Sequence, residues 1–349
     1  MNRSLYSLVV ALSLHSSPNQ PFSIIKNIRI SHSYSSFIRF SKLQKIHVYN
    51  SQFSHFLYSV LVFKNSLSID CGQKLNPAPA IVENCRFCDV DSTGNGGACY
   101  FGTSSANIVL NSCSFVECKS SGTGGAVFVH SSCSSFSSTK CCYSRCTASS
   151  SHSFRVECSN IDCTDFGVFQ CSYSITGTVG SFCITKPAYF TRLNSTSNYL
   201  NGHGACFHLY SAQQCTLTFS NIMKNKGMAI QMVYGTTGSF SYQNIVGNAH
   251  TRDTVLYSGT GTNWNNCYIS GNNTPLTNGS PIFTDCSLDV NQYSGPTWNG
   301  VNYFAGNTQT QHNLVLFRDD TCKKDEFLAT KNREKMNRVL ITVMAIICE

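Results

Sequence analysis

Residue type alone suggests three kinds of chemistry. Inverting glycoside hydrolysis needs one carboxylic acid to protonate the leaving oxygen and a second carboxylate, about 6.5–9.5 Å away, to activate water. Asp319-Asp320 and His203, set between Gly202 and Gly204, are suited to it, but the acids follow the histidine and lie beyond the recognisable repeats. Calcium-assisted elimination needs several hard oxygen ligands converging at about 2.3–2.6 Å. Asp89 and Asp91 share a face by strand parity, yet one repeat further on the same positions are Glu117 and Lys119, so the acidic pair has no echo in the next coil. Thiol chemistry is the third: with 20 cysteines and 10 histidines, Cys/His pairs arise by number alone, and none has a nucleophile's local signature. Cys85-Arg86-Phe87-Cys88 is a lone C-x-x-C without the second half that a zinc module requires. On this basis no catalytic residue, metal ligand or cofactor is assigned, and the binding residues stay unassigned.

What positions these residues is written in a repeat, which decides the architecture. Cys85-Arg86-Phe87 through Gly96-Gly97-Ala98-Cys99-Tyr100-Phe101 returns as Cys113-Ser114-Phe115 through Gly124-Gly125-Ala126-Val127-Phe128-Val129, with a shift of 28 at both ends. A third copy keeps this spacing at Cys141-Cys142-Tyr143, with Cys146 falling 28 after Cys118, Phe154 28 after Ala126, and Phe182 28 further on. Near the start, Ile24 to Ile30 is answered by His47 to Phe53, and Phe37 to Phe40 by Val60 to Phe63, both with a shift of 23. Gly204-Ala205-Cys206-Phe207, Gly227-Met228-Ala229-Ile230, Thr254-Val255-Leu256-Tyr257 and Pro281-Ile282-Phe283 read as later copies of one strand, spaced 23 to 27 apart. Phe219 to Ile222 is likewise answered by Tyr242 to Ile245 with a shift of 23. The period is too short for a four-stranded propeller blade, and inward positions shared by Phe, Tyr, Val, Ile and Cys do not make a leucine-rich ladder. The fold class expected is all-β: a single right-handed parallel β-helix, a solenoid of about ten rungs of roughly 23–28 residues.

One rung cannot bury its apolar face alone, so stacking at about 4.8 Å must supply the core. Phe87, Phe115 and Tyr143 then form one ladder, and Cys85, Cys113 and Cys141 another. Gly96-Gly97 and Gly124-Gly125 are expected at a corner where positive φ or a close neighbouring coil excludes a Cβ. Parallel stacked Cβ vectors keep the rung spacing rather than closing to the ~3.8 Å of a disulfide. Most cysteines are therefore expected to be thiols packed as small apolar residues.

The Gly-Gly-Ala runs at 96–101 and 124–129 alternate with Phe115-Val116-Glu117-Cys118 and Tyr143-Ser144-Arg145-Cys146. This pattern resembles the repeats of chlamydial polymorphic outer-membrane proteins, and looks still more like the Cys- and Ser-rich right-handed parallel β-helix proteins of trichomonad protists. The resemblance covers about residues 22–290 and is densest at 82–160. It implies surface display and adhesion, and it brings no catalytic residues. In the bacterial repeats the aromatic motif usually ends in Asn, where both copies here end in Cys118 and Cys146. Gly202-His203-Gly204 and Asp319-Asp320 look like motifs of polygalacturonases, enzymes of the pectin lyase-like fold. That family places its aspartates before the histidine, and its Asn-Thr-Asp and Arg-Ile-Lys partners do not occur here.

Charged residues make up only 12% of the chain, a composition that suits short strands and tight turns. The net charge of +8 comes from Lys and Arg scattered singly, apart from Lys323-Lys324 and the run at 331–338, so nucleic acid is not the expected partner. Residues 1–21 read as a signal peptide or an N-terminal cap, 22–290 as the β-helix, and 291–349 as a C-terminal cap or tail. Val339 to Cys348 is an uncharged apolar run, about half a bilayer span, and would be a truncated membrane anchor or a capping helix. Sequons at Asn194, Asn272 and Asn278 permit glycosylation in a secretory pathway. The function expected is a non-enzymatic surface or secreted protein that presents a long face to host or self glycans or proteins. The alternative is a polysaccharide-active enzyme of the pectin lyase or polygalacturonase kind.

Overall fold

The computed structural model describes residues 22–40, 45–64, 79–102, 107–130, 133–171, 182–184, 187–200, 206–210, 214–227, 231–234, 237–250, 254–258, 261–273, 276–289, 296–304, 310–316 and 322. The chain is the all-β parallel solenoid that the repeat implies, and no α-helix occurs among the described residues. Each coil gives one strand to a broad face, a short strand to a narrow face and a strand to a back face; Asn107–Asn111, Ser114–Val116 and Val127–Val129 form one such set. Asn107–Asn111 pairs in parallel with Pro79–Glu83 on one side and Ser135–Thr139 on the other, each one repeat away. The back strands form a ten-stranded sheet running from Ile38–Phe40 to Thr277–Asn278. Broad and narrow strands join in a second, 20-stranded system that bends where the two faces meet.

Alternation explains the strands and its interruption explains the bends. Broad strands such as Lys45–Tyr49 and Asn107–Asn111 bury every second residue, which puts Ile46, Val48, Ile108 and Leu110 in the core. Two left-handed residues five positions apart then turn each coil: Ser112 and Glu117, Lys140 and Arg145, Asp165 and Gln170 in three successive coils, all with φ between 50 and 56°. The residue after each corner points inward, so Cys113 and Cys118, or Cys141 and Cys146, are buried. A second conformational demand falls on the glycine pairs. Gly96 and Gly124 have φ of +68 and +71°, while a Cβ on Gly97 or Gly125 would overlap the carbonyl oxygen of Gly125 or His152 in the next coil. Both parts of the expected corner are present, on adjacent residues.

Coil length varies more than the sequence period. Ile46 pairs with Ala80, a chain step of 34, whereas Trp264 pairs with Phe283 after 19 and Phe283 with Trp298 after 15. Two register assignments are corrected by this. Phe154 pairs with Val127 and not with Ala126, because one residue is lost between the bridges Lys119–Thr147 and Thr123–Ser150. Ile282–Thr284 lies on the broad face beside Asn263–Asn265; the back strand continues instead at Thr277–Asn278, since the coil between is short. Parallel stacking also runs on past residue 290, through Thr297–Asn299 and the bridge from Ser287 to Tyr303.

Candidate functional site

The interior columns absorb most of the residues that look chemical. Phe53, Phe87, Phe115 and Tyr143 stack with centroids 5.0–5.3 Å apart. Cys85, Cys113 and Cys141 occupy successive coils behind the first corner. The Cys113 thiol donates to the carbonyls of Val82 and Asn111 at 3.3 and 3.4 Å. Burial pushes the Cys85 thiol up to about 11 and Cys206 to about 12, and holds Cys99, Cys163 and Cys215 well above the ordinary thiol range. These five therefore lack the lowered pKa of a nucleophilic cysteine.

Behind the second corner the column changes chemistry along the axis. Cys118, Cys146 and Cys171 donate to Phe87 O, Phe115 O and Tyr143 O at 3.5–3.7 Å. In the next coils Asn198, Asn225, Asn248 and Asn272 serve the equivalent carbonyls, of Val168, Ser195, Ile222 and Ile245, at 2.7–3.1 Å. Each amide oxygen also accepts the backbone N–H of the preceding coil's corner residue: Cys171 to Asn198, Asn198 to Asn225, Asn225 to Asn248 and Asn248 to Asn272, all at 2.9–3.0 Å. These groups are spent on the fold, and Asn272 with them, although it begins a sequon. Asn194 is half-buried and accepts a hydrogen bond from Thr196 at 2.9 Å, while Asn278 is exposed at the end of the back sheet.

The catalytic candidates are not brought together among the described residues. Gly202-His203-Gly204, Asp319-Asp320, the segment 1–21 and the apolar tail lie outside those residues. Asp89 sits at a corner beside His55, 3.6 Å away, and Asp91 is exposed on the strand that follows. Cys85 points inward and Cys88 lies on the other side of the strand, where Arg86 donates to it, so the two do not converge. Among the described residues no group of three or more His, Cys, Asp or Glu could hold a metal ion, and no helix is long and apolar enough to cross a membrane.

One feature departs from the rule of its own column. The first corner is left-handed in every coil from Asn27 to Asp285, and its residues are mostly Asn, Asp, Ser, Lys or Arg. Asn and Asp tolerate that conformation; bulky side chains do not. Phe219 and Tyr242 nevertheless hold it in adjacent coils, both with φ of +53°. Their rings stack at 5.0 Å and 12° and remain 42 and 41% exposed, so no core packing compensates the strain. They stand on the edge between two polar surfaces. The broad face beside them carries Thr191, Thr218, Ser241 and Asn265 in one column, with Tyr189, Thr216, Ser239 and Asn263 in the next, of which Tyr189 and Ser239 are exposed and the other two half-buried. The narrow face carries Asn194, Asn221 and Asn244.

A C-terminal segment crosses that narrow face. His312 N–H donates to Asn244 Oδ1 and Asn244 Nδ2 returns a bond to the His312 carbonyl, both at 2.9 Å. The His312 ring lies 2.6 Å from the Asn266 carbonyl and meets the Tyr242 ring edge-on at 6.0 Å. Further on, Cys322 forms a disulfide with Cys142, their Cα atoms 5.8 Å apart, and both pack against Phe169. No family model, curated protein or solved structure matches this chain. The aromatic edge was within reach of the sequence as Phe219 and Tyr242 aligned in adjacent repeats, and the amide column as Ile-x-x-Asn at 222, 245 and 269. Neither Asn244–His312 nor Cys142–Cys322 leaves a repeat signal.

Proposed function

We propose that the chain is a non-enzymatic β-helix, displayed at a cell surface or secreted, that binds neutral glycans along the edge marked by Phe219 and Tyr242. The observation that carries this reading is a pair of stacked, solvent-exposed aromatic rings held in a backbone conformation that disfavours them. Pyranose rings present a C–H face that packs on aromatic surfaces and a rim of hydroxyls that needs donors and acceptors. The Thr, Ser and Asn columns beside the edge supply the second requirement at coil spacing, about 4.8 Å. Binding is favoured over hydrolysis because, between the corners, the described broad-face residues from 135 to 284 include one carboxylate, Asp162, where inversion needs two. The Cys142–Cys322 disulfide supports an oxidising compartment, as does the resemblance to surface-displayed repeats.

A glycan array probed with the intact chain tests this reading, run alongside product-release assays on pectin and other polysaccharides. Array binding without product release is the expected result. Product release with turnover, or binding confined to acidic glycans through the basic tail, would overturn it.

A further inference from the structure

We propose that the C-terminal segment is a redox-held strap over the narrow-face flank of the aromatic edge, and that opening Cys142–Cys322 uncovers a column of amides for the same ligand. The consequence for binding rests on the glycan reading; the strap itself rests on its two anchors. At one anchor the backbone N–H and C=O of His312 engage the oxygen and one N–H of the Asn244 amide, whose other N–H donates to Asn221 Oδ1 at 2.7 Å, and Asn244 is fully buried. At the other, Cys322 is bonded to Cys142, whose strand neighbour Tyr143 faces the core, so the disulfide lies outside the solenoid wall. Cys142, Gly167, Asn194, Asn221 and Asn244 are equivalent positions in successive coils. The anchors are thus four coils, about 19 Å, apart. The chain from His312 to Cys322 reaches up to about 35 Å, so the span is met with slack.

Among the described residues 310–316, little besides the His312 anchor secures the segment. Gln311 and Asn313 are not packed into a core and Val315 is 91% exposed, so the apolar grip of a packed element is missing. Reduction is therefore enough to release it. A dithiol supplies two electrons and two protons: its thiolate attacks one sulfur, the Cys142–Cys322 bond breaks, both cysteines leave as thiols, and the dithiol closes to its own disulfide. Release frees the oxygen and one N–H of the Asn244 amide, two residues from Tyr242, while the bond to Asn221 Oδ1 holds the amide in place, and so extends the polar rim of the edge toward Asn221. That amide then offers a donor and an acceptor to a sugar hydroxyl, the same pair that it gives the backbone N–H and C=O of His312.

The test compares oxidised protein, dithiothreitol-reduced protein and a Cys322→Ser variant by hydrogen–deuterium exchange and on an array of neutral oligosaccharides. Exchange in 310–316 should accelerate at least tenfold on reduction and in the variant. Alkylation should reach Cys142 and Cys322 before ladder thiols such as Cys113 and Cys146, and array binding should rise several-fold. Unchanged exchange in 310–316 would overturn the strap. Faster exchange with equal binding in both states would overturn its control of the edge. Faster exchange with no binding in any state leaves the strap standing and sinks the glycan reading instead.

Discussion

The coils from Cys118 to Cys171 and those from Asn198 to Asn272 share a backbone path and differ in what closes its second corner. In the first set a thiol reaches one carbonyl of the preceding coil at 3.5–3.7 Å; in the second an amide reaches the equivalent carbonyl at 2.7–3.1 Å and also caps a backbone N–H. The corner therefore demands a short side chain with a donor, and a thiol is the minimum that meets it. The amide version adds a continuous polar ladder inside the wall. The exposed aromatic pair stands on the amide-cornered coils, which have a stronger internal frame to hold strained residues outside.

Three perturbations can break or sharpen this contrast. The largest effect is expected from Asn225→Leu, which leaves Asn198 N–H and Ser195 C=O without their amide partner and interrupts the ladder to Asn248. Two buried polar groups orphaned together should cost about 4 kcal/mol in urea denaturation. Next comes the thiol half's buried base. His152 accepts a bond from Ala148 N–H, and burial pushes its pKa down from 6.5 to about 4. The folded state keeps it neutral while the unfolded chain protonates below about 6.5, so stability falls as pH drops through 6.5 to 4 and levels off beneath. That loss is roughly 3 kcal/mol, and a His152→Gln variant should show a flatter midpoint-against-pH curve by that amount. The smallest effect is Cys146→Ala, at about 1 kcal/mol, since a weak donor and little volume are removed. Equal costs for Cys146→Ala and Asn225→Leu would dissolve the distinction between the two halves.

Legibility in the sequence followed repetition. The coils at 82–160 could be read because an aromatic, a cysteine and a glycine pair recur at constant offsets, and each has a single steric reason to recur. Register slipped where a coil lost one residue before Phe154, and failed where a short coil moved Ile282 to the broad face. The amide column leaves a short signal, Ile-x-x-Asn at 222, 245 and 269, that is easily passed over because Asn is ordinary turn material; the burial of Asn198, Asn225 and Asn248 is what sets it apart. By type Phe219 and Tyr242 are ordinary strand residues, and only the left-handed corner they occupy sets them apart. The strap, joining residues 180 apart across non-repeating chain, had no periodic signal at all.

The central claim is that Phe219 and Tyr242 are kept for binding at the expense of the backbone. Replacing both with Asn, the residue their column uses elsewhere, separates the two roles in one protein. Titration calorimetry against an array-positive neutral oligosaccharide should show at least tenfold weaker binding by the Phe219→Asn/Tyr242→Asn variant. Urea denaturation of the same sample should show stability unchanged or raised by about 1 kcal/mol, as left-handed strain is relieved. Retained affinity together with a destabilised fold would contradict the account and return the pair to a structural role.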